Sequence, residues 1–113
     1  MIVDNLNPKP QNKIQFKRAF YKSVPSESGC YILSNFGGDI LYIGLAINLN
    51  KRFIQHLEST EKISRTVNGK AVWFYYNLYD SKNLPKLERT WINQFTSQNG
   101  KLPILNKVNS PIT

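Results

Sequence analysis

Apolar residues along this chain fall into two kinds of run. Gly29-Cys30-Tyr31-Ile32-Leu33 and Tyr42-Ile43-Gly44 are short and flank the turn-rich Ser34-Asn35-Phe36-Gly37-Gly38-Asp39. Apolar runs split by a glycine-containing turn predict a β-hairpin, with strands near 29–34 and 39–44. Its two tyrosines would then sit on neighbouring strands. Leu49, Phe53 and Leu57 recur at spacing four behind Asn48, a suitable N-cap, and predict a helix over about 49–60. Residues 61–69 read as an exposed connection closing on Asn68-Gly69. Ala71-Val72-Trp73-Phe74-Tyr75-Tyr76 predicts a mostly buried third strand. Leu87, Trp91 and Phe95, with Pro85 in the first turn and Asn99-Gly100 at the end, predict a second helix over about 84–97. Leu102 to Asn106 is a short return segment. The order β-β-α-β-α predicts an α+β domain, a small three-stranded antiparallel sheet flanked by helices.

The first residues differ from the rest. Lys9, Lys13, Lys17, Arg18 and Lys22 stand against Asp4 alone, and Pro8 and Pro10 discourage early regular structure. Residues 1–23 are therefore expected to be a basic, partly ordered arm, 24–107 the folded domain and 108–113 a polar tail.

The chain has 113 residues, 41% of them hydrophobic, which suits one domain with one modest core. No apolar stretch approaches the roughly 20 residues that cross a bilayer, and Met1-Ile2-Val3-Asp4 lacks the layout of a signal peptide. The single cysteine, Cys30, excludes an internal disulfide and a cysteine-based zinc site. A cytoplasmic protein that does not engage membranes is the expectation. Fifteen Lys/Arg against seven Asp/Glu give a net charge of +8. That excess suits a polyanion, because basic side chains displace counterions from phosphates. Lys13, Lys17, Arg18, Lys51 and Arg52 are the candidate contacts to nucleic acid. The oligomeric state stays open.

Arg52 and His56 lie four apart and so share one face of the first helix, beside its apolar stripe. Glu88 flanks Leu87 on the second helix, and taken alone it reads as a solvated carboxylate near a helix N-terminus. Asn106 taken alone is a turn residue.

With these residues in place the chain resembles the GIY-YIG nuclease superfamily. Gly29-Cys30-Tyr31 and Tyr42-Ile43-Gly44 stand for the two halves of its name. Asn48 to His56 is similar to the family's helix bearing arginine and histidine at spacing four. Glu88-Arg89-Thr90-Trp91-Ile92 matches its glutamate followed by an aromatic–aliphatic pair, and Asn106 its late asparagine. The resemblance implies a divalent-metal-dependent DNA endonuclease, with Glu88 holding one Mg²⁺ or Mn²⁺. Arg52 would grip phosphate bidentately. Tyr31 would be the general base and Tyr42 would position water or phosphate. His56 would orient a tyrosine or accept its proton. A phenol is a poor base until cations favour its phenolate, and Arg52, His56 and a metal would all act in that direction. Repair-type members commonly carry lysine where this chain has Leu45. The basic role at Tyr31 then passes to His56, or activity is weakened. The alternative is a binding module on the same fold that cleaves weakly or not at all. No separate specificity domain fits in this length, and a protein partner is one route to specificity.

Overall fold

The computed structural model describes residues 1–106; the expected tail at 108–113 and the domain's end at 107 lie outside them. Seven elements carry the fold: β1 (Asn12–Gln15), β2 (Gly29–Ser34), β3 (Ile40–Ala46), α1 (Leu49–Leu57), α2 (Thr60–Ile63), β4 (Trp73–Leu78) and α3 (Leu84–Asn99). The sheet is antiparallel throughout, in the order β1-β4-β2-β3.

The sheet has four strands, not the three expected. The extra strand comes from the N-terminal segment: Asn12 to Gln15 pair with Tyr76 to Trp73. A four-residue strand next to Pro8 and Pro10 is too short to show a period, so the hydrophobic pattern does not reveal it. Pairing with a neighbour already in the sheet makes it stable. Further upstream, Val3 and Leu6 are buried in the core.

The other elements follow their sequence signals. Asn48 caps α1, its side chain accepting from the Lys51 N–H at 3.0 Å. The first helix stops at Leu57 and is followed by the separate short helix α2, capped by Ser59. Pro85 opens α3, and Gly100 closes it at φ 72°, a left-handed angle that glycine adopts freely. The third expected strand lies two residues later than its apolar run suggests, at Trp73–Leu78.

Strand alternation splits the core into two layers. Tyr31, Leu33, Phe74 and Tyr76 face α1, where Leu49 and Phe53 close over them. Cys30, Ile32, Ile43 and Tyr75 face α3, packing against Leu84, Leu87, Trp91 and Phe95. No described helix is long and apolar enough to cross a membrane.

Gly29 sets how closely α1 and β4 approach β2. A Cβ there would lie 2.3 Å from the Asn77 carbonyl oxygen and 2.8 Å from Leu49 Cδ1. The first of these neighbours is backbone within the sheet and cannot yield cheaply. Gly29→Ala should therefore cost about 1–3 kcal/mol in urea denaturation. Gly37→Ala is the control, since its Cβ would meet only Asn35 Oδ1 at 3.7 Å. Equal effects of the two substitutions would contradict this packing.

Candidate active site

Tyr31 is the centre of the site. Its ring is fully buried, stacked between Phe74 (5.1 Å between centroids, 11° between planes) and Tyr42 (5.8 Å, 29°). The hydroxyl end needs room, and Gly44, directly opposite on β3, provides it. A Cβ on Gly44 would lie 2.7 Å from the Tyr31 hydroxyl and 2.7 Å from Tyr42 Cε1. Glycine in the second tripeptide is thus a requirement of the paired tyrosines. The sequence signalled the residue but not this reason for it.

His56 reaches the same point from α1. Its Nε2 is 2.6 Å from the Tyr31 hydroxyl, and its ring stands edge-on to Tyr42 at 5.2 Å. Spacing four on α1 places Arg52 on the same side. The Arg52 guanidinium acts on both Tyr31 and His56 through its charge and also hydrogen-bonds Tyr31.

Two shifts define the electrostatics. Burial raises the Tyr31 phenol well above its ordinary value, with neighbouring Tyr42 adding to the rise and Arg52 opposing it. Arg52 acts in the expected direction, lowering the phenol, but burial outweighs it in the free domain. His56 is pushed down to about 3, first by burial, then by the charges of Lys62 and Arg52. Both members of the pair are neutral at pH 7. In the neutral pair a single proton is shared along this contact, and the imidazole tautomer sets which group donates.

The other expected residues lie elsewhere. Asn106 sits at the outer edge of β3, where its Oδ1 accepts from the Ile43 N–H at 2.9 Å. Its Nδ2 donates to the Ile43 carbonyl at 2.8 Å. The amide imitates a neighbouring strand and seals the edge beside Tyr42. Glu88 belongs to α3, which covers the opposite face of the sheet. Its electrostatic neighbours are Cys30 and Arg89, and it is not among the charges acting on Tyr31 or His56. Burial raises its carboxyl pKa, and among the described residues the carboxylate makes no hydrogen bond or ion pair. A desolvated carboxylate without a partner fits a hard cation. No group of three or more His, Cys, Asp or Glu suited to a metal occurs among the described residues. Any cation would thus take one protein carboxylate and otherwise oxygens from water or phosphate.

The basic candidates divide between the faces. Lys13 lies over the Trp73 ring at 4.1 Å and the Tyr75 ring at 5.6 Å, on the side of the sheet away from Tyr31. Arg18 pairs with Glu58 of the loop after α1 at 3.4 Å, and both side chains are exposed. Lys17 and Lys51 are exposed. Leu45, where a lysine is common in repair-type members, packs on the α3 side. Lys62, which carried no sequence signal, stands 4.9 Å from the Tyr42 ring centroid.

An antiparallel sheet between two helical layers, with two stacked tyrosines, an arginine and a histidine on one face, defines a small α+β domain built around a protected phenol. The chain belongs to the GIY-YIG catalytic domain family, which matches residues 27–101. It is 40% identical over 50 residues to UvrABC system protein C of Hydrogenobaculum sp., which covers 44% of this chain and 9% of that protein. With the same protein of Nitrosomonas eutropha it shares 37% identity over 43 residues, 38% of this chain and 7% of the relative. The chain thus matches less than a tenth of the length of either. In fold it is similar to the GIY-YIG N-terminal endonuclease domain of UvrC from Thermotoga maritima bound to its catalytic divalent cation, magnesium. That likeness has a TM-score of 0.57 at 21% identity, covering 80% of this chain and 94% of the other. A point mutant of the same domain gives 0.56 at 22% identity, covering 80% and 98%.

His56 makes a testable contribution to stability. Its folded pKa, about 3, lies below the ordinary 6.5, so the unfolded chain takes up the proton first. The contribution is complete above pH 6.5 and is lost as pH falls from 6.5 toward 3. The slope from this one proton approaches about 1.4 kcal/mol per pH unit. Glu88 acts in the opposite sense at the acid end, because its raised pKa favours the folded state once protonated. Denaturation curves across this window should show stability falling with pH, and His56→Gln should flatten the fall between about pH 6.5 and pH 5. An unchanged slope in the variant would mean that His56 is not held neutral.

Proposed function

We propose that this chain is a divalent-metal-dependent endonuclease domain that hydrolyses DNA phosphodiester bonds. The observation that carries this reading is the contact of the buried Tyr31 phenol with His56, under Arg52 and beside Tyr42. Membership of the GIY-YIG catalytic domain family and the likeness to a magnesium-bound endonuclease domain support the reaction class. The +8 charge supports a nucleic-acid substrate.

The proton path runs through the buried pair. Tyr31 passes its proton to His56 Nε2, and the phenolate oxygen takes a proton from the attacking water, whose oxygen bonds to phosphorus as the bond to the leaving sugar oxygen breaks and that oxygen takes a proton from solvent. Arg52 binds the phosphate with its planar fork and compensates charge growing on its oxygens. Tyr42, half-buried at the rim, positions the water or the phosphate. Asn106 holds β3, and with it Tyr42, in register. Glu88 would hold Mg²⁺ or Mn²⁺, which when bound supplies Lewis-acid stabilisation of the phosphate.

A weakly cleaving binding module is the competing reading, favoured by the high pKa of the Tyr31 phenol. Two substitutions separate them in a cleavage assay with Mg²⁺. Glu88→Ala should lower cleavage at least about 10²-fold, the usual cost of removing one group that stabilises the transition state, while DNA binding persists. Tyr31→Phe keeps the stacked ring and deletes only the hydroxyl, so it should lower the rate with the fold intact. Wild-type protein that binds DNA but cleaves none with Mg²⁺ or Mn²⁺ would establish the module.

Lys17, Arg18 and Lys51 are proposed to track the DNA backbone from the α1 side, and Lys13 to take no part there. Replacing the first three with alanine should flatten the log–log salt dependence of binding by about 0.9 for each phosphate that is no longer neutralised. Lys13→Ala should leave it unchanged. The opposite ranking would move the DNA to the α3 face.

A further inference from the structure

Lysine heads normally stay in water, and a largely buried one calls for an explanation. The Lys62 side chain is only 13% exposed. The short helix α2 carries it back over the tyrosine face, and Ser59 fixes the start of that helix by accepting from the Lys62 N–H. The ammonium lies 4.9 Å from the Tyr42 ring centroid and 3.0 Å from Glu61 Oε1. It also acts on His56, ahead of Arg52. Its ion-pair partner Glu61 has a side chain 42% exposed. A pair open to solvent on one side is worth about 0–1 kcal/mol, so an arriving phosphate competes with it readily.

We infer that Lys62 is a second phosphate-binding cation of this site, gripping the scissile phosphate together with Arg52 from across Tyr42. The inference rests on the reading of the site as a DNA-cleaving one and adds a residue to it. Arg52 and Lys62 come from different helices and both act on His56, Arg52 from beside Tyr31 and Lys62 from beside Tyr42. A phosphate between them would meet a planar fork on one side and a point charge on the other.

The arrangement also links substrate binding to proton transfer. The titratable and charged groups facing His56 are Tyr31 on β2, Tyr42 on β3, Arg52 on its own helix and Lys62 on α2. In the free domain burial, with the charges of Lys62 and Arg52 adding to it, holds His56 neutral and a poor acceptor. An anionic phosphate seated between them offsets both charges, and His56 then takes the Tyr31 proton more readily. The base is strengthened when substrate is present.

The test uses Lys62→Met, which keeps the stem's packing on Tyr42, and Lys62→Arg, which keeps the charge. Three readouts apply: Mg²⁺-dependent cleavage of a DNA duplex, affinity for the same duplex without metal, and the His56 titration followed by NMR. Lys62→Met should lower kcat by about 10²-fold, reduce the salt slope of binding by about 0.9 and raise the His56 pKa. Lys62→Arg should restore most of each. Lys62→Met that matches wild type in duplex affinity, salt slope and His56 titration overturns the inference, whether or not the wild-type protein cleaves. If the wild type binds but does not cleave, weaker affinity and a flatter salt slope in Lys62→Met still uphold the phosphate-binding role, and only the endonuclease reading fails.

Discussion

A phenol with no access to water has to find its hydrogen bonds inside the protein, and this single demand on Tyr31 organises the domain. The hydroxyl contacts His56 Nε2 at 2.6 Å, and no buried side-chain nitrogen or oxygen is left without a partner among the described residues. An unpaired buried hydroxyl would cost about 1–3 kcal/mol, so the contact requires α1 to lie where it does. Phe74 and Tyr42 fix the ring plane, Gly44 leaves room for the oxygen, and Gly29 lets α1 and β4 approach β2. Each neighbour answers a geometric requirement of that one side chain.

The same burial that orders the site restrains its chemistry. Desolvation raises Tyr31 and lowers His56, so at neutral pH the proton stays on the phenol. Moving it to the imidazole in the free domain runs uphill against both shifts. On the proposed reading, the transfer becomes easier when a ligand changes the local charge. A phosphate anion, attracted by the Lys62 and Arg52 charges that add to the effect of burial on His56, is a ligand of the right sign. On that reading the neutral pair belongs to the free domain and the charged pair to the complex with phosphate.

Much of this was legible in the sequence because it is local. The hairpin strands, the Asn48 cap, the Arg52–His56 spacing and the Pro85-to-Gly100 helix all depend on residues a few positions apart. The fourth strand was not legible: Asn12 to Gln15 become a strand only by pairing with Tyr76 to Trp73, more than fifty residues away. Burial energetics were hidden for the same reason. Sequence alone placed cations near Tyr31, and Arg52 does lower the phenol, but it gave no measure of the desolvation that outweighs this. Lys62 was missed because α2 is four residues long and lies in what read as a connection. Asn106 was visible as a residue, while its pairing with both backbone groups of Ile43 depends on where the chain returns.

Glu88 sets the remaining constraint on mechanism. It is presented by the helix on the α3 face, whereas the phenol, imidazole and guanidinium belong to the α1 face. β3 is the outermost strand on its side of the sheet, and its free edge is closed by Asn106 and by the Leu105 N–H bonded to the Leu41 carbonyl at 2.9 Å. A phosphate served by both faces must therefore lie beyond an end or an edge of the sheet, where one anion can be approached from either side. The partly desolvated carboxylate belongs to α3, whereas the cations acting on Tyr31 and His56 belong to α1 and α2. Direct pairing would join Glu88 to Arg52 and neutralise both. Placement on different elements sets the carboxylate on α3 and the guanidinium beside Tyr31 and His56, the two charges that the proposed metal-assisted hydrolysis would use.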